Sequence, residues 1–290
     1  MSMPRINRRA AIQWSAGAVS AFMPAIKLLA ADPERTFKIG ACDWSLGLRQ
    51  DPKALDMAKR IGLDGVQVSF GSSDAEYDLR KPDARALYRE KCRALNLEIA
   101  SLGLAELNSK PYASDPDAQE WVADCVDVMA EMNQRIALLA FFGKGDIKDE
   151  PRKQREVVRR LKRVAPKAEK AGVVLGIESW LNADEHLRIL DAVGSPAVQV
   201  YYDVANMERR GYNIYQEIRQ LGRDRICQIH AKENGALLGR GRVDFSKVKD
   251  ALDDIQWHGW LVIESATVPG KSTEACYKLN QRYLRSVFPT

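Results

Sequence analysis

Cysteine and histidine are both scarce in this chain of 290 residues. The five cysteines are scattered and odd in number, and none has the spacing of a Cys/His metal finger. This pattern argues against a small disulfide-stapled scaffold and favours cysteines that are buried as small hydrophobes. Heptad repeats and low-complexity segments are also lacking. With 46% hydrophobic residues, the chain can bury a large core as one or two domains.

Acidic residues are absent from the first 31 positions, where Arg5, Arg8 and Arg9 precede a mostly apolar stretch that ends at Ala31. That is the layout of a signal peptide, and the adjacent arginines resemble a twin-arginine leader. A short amphipathic helix is the alternative, whereas polar residues interrupt the apolar run too often for a membrane anchor. We therefore predict a leader over residues 1–31 and export to the bacterial periplasm by the twin-arginine machinery.

The net charge of +5 belongs mainly to this leader. Residues 1–31 hold four basic side chains and no carboxylate, so the rest of the chain carries +5 − 4 = +1. A nearly neutral protein has no bulk electrostatic attraction to nucleic acid. We expect a small-molecule partner and no nucleic acid, and the sequence leaves a homo-oligomer open.

Eight short β-branched runs alternate with amphipathic helical segments from Thr36 onward. The predicted strands cover residues 37–44, 65–70, 97–103, 135–142, 173–179, 197–203, 226–231 and 260–265. Eight such units over about 250 residues match the count and length of a (β/α)₈ barrel. A doubly wound sheet would usually carry a Gly-rich phosphate turn after its first strand, and "ACDWSLGLRQD" has none. The sequence therefore predicts an α/β fold, a single-domain TIM barrel over residues 32–290.

Four consecutive predicted strands end in a side chain that can bind a metal: Glu178, Asp203, His230 and Glu264. In a closed barrel the ends of neighbouring strands lie side by side, so these side chains can converge on one point. Three buried carboxylates repel one another unless a cation lies between them. A lone carboxylate after a strand can equally be a helix N-cap, but four such ends in register favour one divalent metal. The oxygen-rich set suits Mn²⁺ or Mg²⁺ and tolerates Co²⁺ or Zn²⁺.

The segments around these ends resemble a known family. "GIESW", "YYDVAN", "QIHAKEN", "LLGRGRVDF" and "VIES" are similar to the xylose-isomerase-like sugar (phosphate) isomerase/epimerase superfamily, and within it to the tagatose/psicose 3-epimerase-like branch. The resemblance covers about residues 36–288. It implies a TIM barrel in which the four strand-end residues hold an Mn²⁺-type ion. It also implies that Glu178 and Glu264 act as the acid–base pair on a sugar.

Such a site suits proton transfer at a carbon beside a carbonyl, because a metal can act there as a Lewis acid and two carboxylates can exchange the proton. Return of the proton to the opposite face would epimerise the sugar, and return to the neighbouring carbon would isomerise it. If a β-hydroxyl leaves instead, the enzyme is a lyase, hydratase or dehydratase on keto-sugars, keto-glycosides or inososes. A non-catalytic carbohydrate-binding barrel is the third alternative. A DNA-repair endonuclease of the same barrel type would need more histidines for its metal cluster.

Further residues are predicted to contact the substrate: Lys232, Asn206, Trp180 and Lys144. Lys232 lies two residues after His230 on the same face of the strand, and Asn206 stands where epimerase relatives often have histidine. Trp180 would form a wall of the pocket. Lys144 belongs to a Gly-rich turn that could be a lid or a phosphate contact. His186 and His258 are predicted to lie on the surface.

Overall fold

The structure is a computed structural model that describes residues 37–71 and 74–289. The predicted leader over residues 1–31 lies outside the described residues.

Eight strands form the inner wall of the fold: β1 (Phe37–Cys42), β2 (Gly65–Ser69), β3 (Glu98–Leu104), β4 (Ile136–Phe141), β5 (Val174–Ser179), β6 (Val198–Asp203), β7 (Ile226–Lys232) and β8 (Gly259–Glu264). They are parallel and pair in chain order, and β1 also pairs with β8, so the sheet closes on itself. The predicted TIM barrel is confirmed, and every strand bound lies within two residues of its predicted position. β-Branched and apolar runs form these strands because both faces of a parallel barrel sheet are buried.

Helices form the outer layer: α1 (Lys53–Ile61), α2 (Pro82–Leu95), α3 (Pro116–Met132), α4 (Pro151–Ala171), α5 (Ala183–Val193), α6 (Val204–Arg209), α7 (Ile214–Leu221), α8 (Phe245–Asp254) and α9 (Thr273–Val287). Local sequence explains several of their ends. Helix α5 begins with a capping box, in which Asn182 and Glu185 bond reciprocally to each other's backbone N–H. Helices α1 and α4 end at Gly62 and Gly172, whose positive φ angles of 91° and 67° suit glycine.

The carboxyl ends of the strands define one face of the barrel, and small residues make room there for large side chains. A Cβ atom on Gly103 of β3 would lie 2.9 Å from the Trp44 ring. Glycine at position 103 therefore allows Trp44, which follows β1, to lie over the barrel mouth. Within residues 37–71 and 74–289, none of the helices has the length and apolar character needed to cross a bilayer.

Candidate active site

The four strand-end residues predicted as ligands meet at the carboxyl face of the barrel. One potential ligand atom from each of Glu178, Asp203, His230 and Glu264 lies within 4.8 Å of all the others. The pairing register produces this convergence, because Asp203 of β6 lies opposite His230 of β7. The parallel barrel thus brings together four residues whose consecutive spacings in the chain are 25, 27 and 34 positions.

The imidazole of His230 points its Nδ1 atom at all three carboxylates. This nitrogen lies 2.9 Å from Glu178 Oε1, 3.5 Å from Glu264 Oε2 and 3.9 Å from Asp203 Oδ2. His230 and Asp203 are almost fully buried, and Glu264 exposes 13% of its side chain. One nitrogen and three carboxylates therefore surround a common, largely dry space.

Asp203 combines the two roles that the sequence leaves open, helix cap and metal ligand. Its Oδ1 atom accepts a hydrogen bond from the backbone N–H of Asn206 at 2.8 Å and so caps helix α6. Its Oδ2 atom is buried without a hydrogen bond among the described residues and faces the other potential ligands. The cap fixes the carboxylate in an orientation that leaves one oxygen available to a cation.

Lys232 supplies a built-in positive charge that sequence analysis missed. Its Nζ atom lies 2.9 Å from Glu264 Oε2 and 3.3 Å from Asp203 Oδ2. The predicted substrate contact is thus also an ion-pair partner of two potential ligands. Three carboxylates carry −3 and the ammonium contributes +1, so a divalent cation brings the total to zero when His230 is neutral.

Burial and like charge dominate the electrostatics of the site. Burial, reinforced by the charges of Glu178 and Glu264, raises the pKa of Asp203 to about 7, although Lys232 opposes the shift. Burial would also raise the pKa of Glu264, but His230 and Lys232 outweigh it and lower that pKa. The pKa of His230 is raised despite burial, because the surrounding carboxylates favour its charged form.

The residues present fit a divalent metal. Asp203 Oδ2 and Glu264 Oε2 are oxygens of largely buried carboxylates that face the cluster, where the Lys232 ammonium is their cationic neighbour. Three carboxylate oxygens and one imidazole nitrogen form a donor set suited to Mn²⁺ and related ions. A metal ion at this point would contact both oxygens and relieve the repulsion from Glu178 and Glu264 that adds to burial in raising the pKa of Asp203.

Two side chains from the first half of the barrel also contact the potential ligands. Trp44 Nε1 donates a hydrogen bond to Glu264 Oε1 at 2.8 Å. Gln67 Oε1 lies 2.8 Å from His230 Nε2, the ring nitrogen that faces away from the carboxylates. Sequence analysis missed both residues. The one available signal was a glutamine inside the otherwise apolar strand run "GVQVSF".

A cavity of about 380 Å³ opens at the candidate metal centre. Its wall includes aromatic and amide side chains: Trp44, Phe142, Trp180, Asn108, Asn206 and Asn234. Of the four potential ligands, Glu178 and Glu264 line the cavity. Flat aromatic faces together with hydrogen-bonding groups are suited to a small polar ligand such as a sugar.

The predicted substrate contacts differ in their placement. Lys232, Asn206 and Trp180 all line the cavity. Lys144 lies in a short 3₁₀ turn over Gly143–Gly145, is exposed and does not line the cavity.

The prediction that His186 lies on the surface is wrong. His186 is 2% exposed, because the face of helix α5 that carries it packs against the barrel. Its Nε2 atom lies 3.1 Å from Ser179 Oγ, and its Nδ1 atom lies 3.1 Å from the carbonyl oxygen of Asn182. His258 is exposed, as predicted.

Comparison with known proteins agrees with the barrel fold. The family described as "Xylose isomerase-like TIM barrel" matches residues 55–287. The chain belongs to the xylose isomerase-like TIM barrel family. Among curated members, a D-psicose 3-epimerase from Enterocloster bolteae is 30% identical over 234 residues, which cover 75% of this chain and 77% of that protein. A 2-epi-5-epi-valiolone 7-phosphate 2-epimerase from Actinoplanes sp. is 25% identical over 227 residues, covering 75% and 82%.

Solved structures of epimerases share the fold. A D-psicose 3-epimerase crystallised in the presence of D-fructose superposes with a TM-score of 0.74 at 15% identity, covering 87% of this chain and 100% of that one. A 3-keto-D-glucoside 4-epimerase from E. coli gives a TM-score of 0.69 at 14% identity, covering 86% and 99%. The curated relatives confirm the predicted enzyme class, a sugar isomerase or epimerase.

Proposed function

We propose that this protein is a divalent-metal-dependent epimerase or isomerase of a sugar or keto-sugar. The observation that carries the proposal is that only some of the four potential ligands also line the cavity. All four surround one point, but Glu178 and Glu264 are the two that also line the cavity. In this proposal the two carboxylates would contact both a metal and a substrate.

The metal would be held by Glu178, Asp203, His230 and Glu264, and it would supply Lewis-acid polarisation of a substrate carbonyl. Glu178 on β5 and Glu264 on β8 lie three strands apart around the barrel. Each can approach a carbon in the cavity from a different side. One carboxylate takes the proton beside the carbonyl and the other returns a proton to the opposite face, which inverts the centre.

The remaining polar groups of the cavity would hold the sugar in place. Lys232 and Asn206 offer N–H donors to hydroxyl or carbonyl oxygens, and Trp180 offers an aromatic face to the ring. Phe142 packs edge-on against Trp180 with ring centroids 4.9 Å apart, which fixes the indole in position. We propose Mn²⁺ as the resident ion, because the donor set is rich in oxygen and has a single imidazole.

Metal binding is the first test of the proposal. We expect about one divalent ion per chain by plasma mass spectrometry after incubation with Mn²⁺, and much less in a Glu264→Gln variant. A Glu217→Gln variant is the matched control, since Glu217 is a buried carboxylate outside the cluster that bonds to Tyr202 and to the backbone of Ala183. A wild-type protein that stays metal-free with Mn²⁺, Co²⁺ and Zn²⁺ would overturn the metal-dependent mechanism.

The reaction is tested by NMR with a panel of keto-sugars in D₂O. Deuterium at an epimerised or isomerised carbon supports the proposal. A new C=C or deoxy product would instead identify a lyase or dehydratase built on the same ligands. Binding without any exchange or product would favour a carbohydrate-binding barrel.

We also propose that the protein is exported to the bacterial periplasm by the twin-arginine machinery. The proposal is supported by the arginine pair at positions 8 and 9 and by the acid-free apolar stretch that follows. Cell fractionation should find the mature protein in the periplasm, and an Arg8→Lys/Arg9→Lys variant should remain in the cytoplasm. Equal distribution of the two proteins would refute it.

A further inference from the structure

His230 can bind a metal only in one of its two neutral forms. Its Nδ1 atom faces the carboxylates, so the ring proton must reside on Nε2 if Nδ1 is to offer a lone pair. A group that accepts a hydrogen bond from Nε2 selects this form. Gln67 Oε1 lies 2.8 Å from Nε2.

We propose that Gln67 is a positioning residue that holds the ring proton of His230 on Nε2 and so keeps Nδ1 free for the metal. The inference rests on the proposed function, because it assigns Gln67 a role toward the metal of the same site. It concerns a residue of β2 that reaches across the barrel interior to β7.

The amide oxygen of Gln67, and not its nitrogen, faces His230. Gln67 is fully buried, and its Oε1 atom also accepts a hydrogen bond from Cys42 Sγ at 3.2 Å. Its Nε2 atom has no hydrogen-bond partner among the described residues. With the amide reversed, an N–H group would meet His230 Nε2 and drive the ring proton onto Nδ1. The ring could then donate to Glu178 but could not bind a cation.

Cys42 is the other group near this ring nitrogen, and it is the weaker acceptor. Its sulfur lies 3.4 Å from His230 Nε2, against 2.8 Å for the oxygen of Gln67. A thiol is also a poor acceptor compared with an amide oxygen. Cys42 therefore supports the orientation of Gln67, while Gln67 sets the proton position of His230.

The inner strand position of Gln67 has a matched counterpart elsewhere in the barrel. Gln228, on β7, is likewise fully buried, and its Nε2 atom donates to the carbonyl oxygen of Ala100 at 3.0 Å. The side chain of Gln228 thus bonds to the backbone and not to His230. Replacement of either glutamine by leucine removes one buried amide, but only the change at position 67 removes the acceptor for the imidazole.

The test compares Co²⁺ affinity, measured by titration calorimetry, in wild type, Gln67→Leu, Gln67→Glu and Gln228→Leu. Loss of a hydrogen-bond partner of a metal-binding histidine typically lowers metal affinity by about 10- to 100-fold, and we expect that loss in Gln67→Leu. Gln67→Glu keeps an acceptor and should restore most of the affinity, while Gln228→Leu should bind as wild type does. Equal losses in both leucine variants, or no loss in Gln67→Leu, would overturn the proposal. If Gln67→Leu does not fold, a Gln67→Met variant takes its place in the comparison, because methionine is flexible and similar to glutamine in size.

A second measurement reports the proton position directly and separates this proposal from the metal-dependent function. ¹⁵N NMR of histidine-labelled, metal-free protein, at a pH where both ring nitrogens of His230 are protonated, should show a hydrogen-bonded Nε2–H in wild type, because Gln67 Oε1 accepts from it. In Gln67→Leu the resonance of this proton should move upfield and its exchange with solvent should become faster, while Nδ1–H stays bonded to Glu178. A wild-type protein that binds no metal but shows this change would remove the proposed function and retain the hydrogen bond from His230 to Gln67. An unchanged Nε2–H would refute the role of Gln67.

Discussion

At the scale of single residues, Lys232 offsets part of the negative charge of the candidate active site. Its ammonium contacts Asp203 and Glu264, so the metal-free site holds three carboxylates with one permanent cation and one titratable imidazole beside them. The lysine thus stabilises the metal-free fold. It also repels an incoming divalent ion.

The Lys232→Met variant should therefore change the stability of the metal-free protein and its metal affinity in opposite directions. Removal of one partner of a buried ion pair costs about 3–5 kcal/mol, so unfolding in EDTA should begin at lower urea concentration. Mn²⁺ should bind more tightly than in wild type, because a nearby positive charge is gone, and should recover much of the lost stability. Chemical unfolding with and without Mn²⁺ measures both effects. Weaker Mn²⁺ binding in the variant would show that Lys232 does not repel the ion.

The sequence supports the prediction of single residues unevenly. Glu178 and Asp203 are found because each ends an apolar run, and the strand spacing then brings them together. Trp44 and Gln67 are not, because their hydrogen bonds cross the barrel interior and depend on side-chain reach that spacing does not encode. His186 is misplaced because its position near a helix start says nothing about which face of the helix packs on the strands.

At the scale of the elements, helix α4 shows how a local excess of charge is tolerated on the outer layer. It holds nine basic and two acidic residues in 21 positions. Arg159 is paired with Glu156 and Lys167 with Asp127, but Arg163 is exposed and lies one turn from both basic side chains. Like charges at this spacing destabilise a helix by about 0.2–0.5 kcal/mol per pair.

An Arg163→Glu variant should be more stable than wild type by roughly 0.8–2 kcal/mol at low salt, because two repulsive pairs become attractive. Urea unfolding at low ionic strength measures the gain, and an Arg163→Gln variant should show about half of it. The gain should shrink in 1 M salt, where the screening length falls to about 3 Å. A gain that is unaffected by salt would mean that helix propensity, not charge, is responsible.

The elements themselves are well predicted from sequence, and the reason is physical. Each strand of a parallel barrel is buried on both faces and reads as a short apolar run, and each helix between strands carries an apolar stripe. Proline and glycine then mark helix ends, as Pro151 and Gly172 do for α4. What the sequence does not specify is the fine geometry at the mouth of the barrel, where loops of different length meet.

At the scale of the whole molecule, stability toward acid depends on buried groups far from the cavity as well as on the candidate active site. Burial lowers the pKa of His186 to about 4, while hydrogen bonding to Asn182 opposes the shift. Burial raises the pKa of Asp43 to about 6, although Ser69 and Gln50 donate hydrogen bonds to its carboxylate. As pH falls from 6 to 4, protonation of His186 lowers the free energy of unfolding and protonation of Asp43 raises it. The two contributions therefore partly cancel in the wild type.

A difference measurement isolates the histidine. The folded pKa of His186 is below its unfolded value of about 6.5, so its contribution to the free energy of unfolding is complete above that pH and is lost as pH falls toward 4. A His186→Gln variant lacks this contribution at every pH, whereas Asp43 titrates alike in both proteins. The stability deficit of the variant, measured by urea unfolding, should therefore be largest near pH 7.5. It should shrink by about 3 kcal/mol by pH 4, since each pKa unit corresponds to about 1.4 kcal/mol. A deficit for His186→Gln that stays constant with pH would mean that the pKa of His186 is the same in the folded and unfolded states.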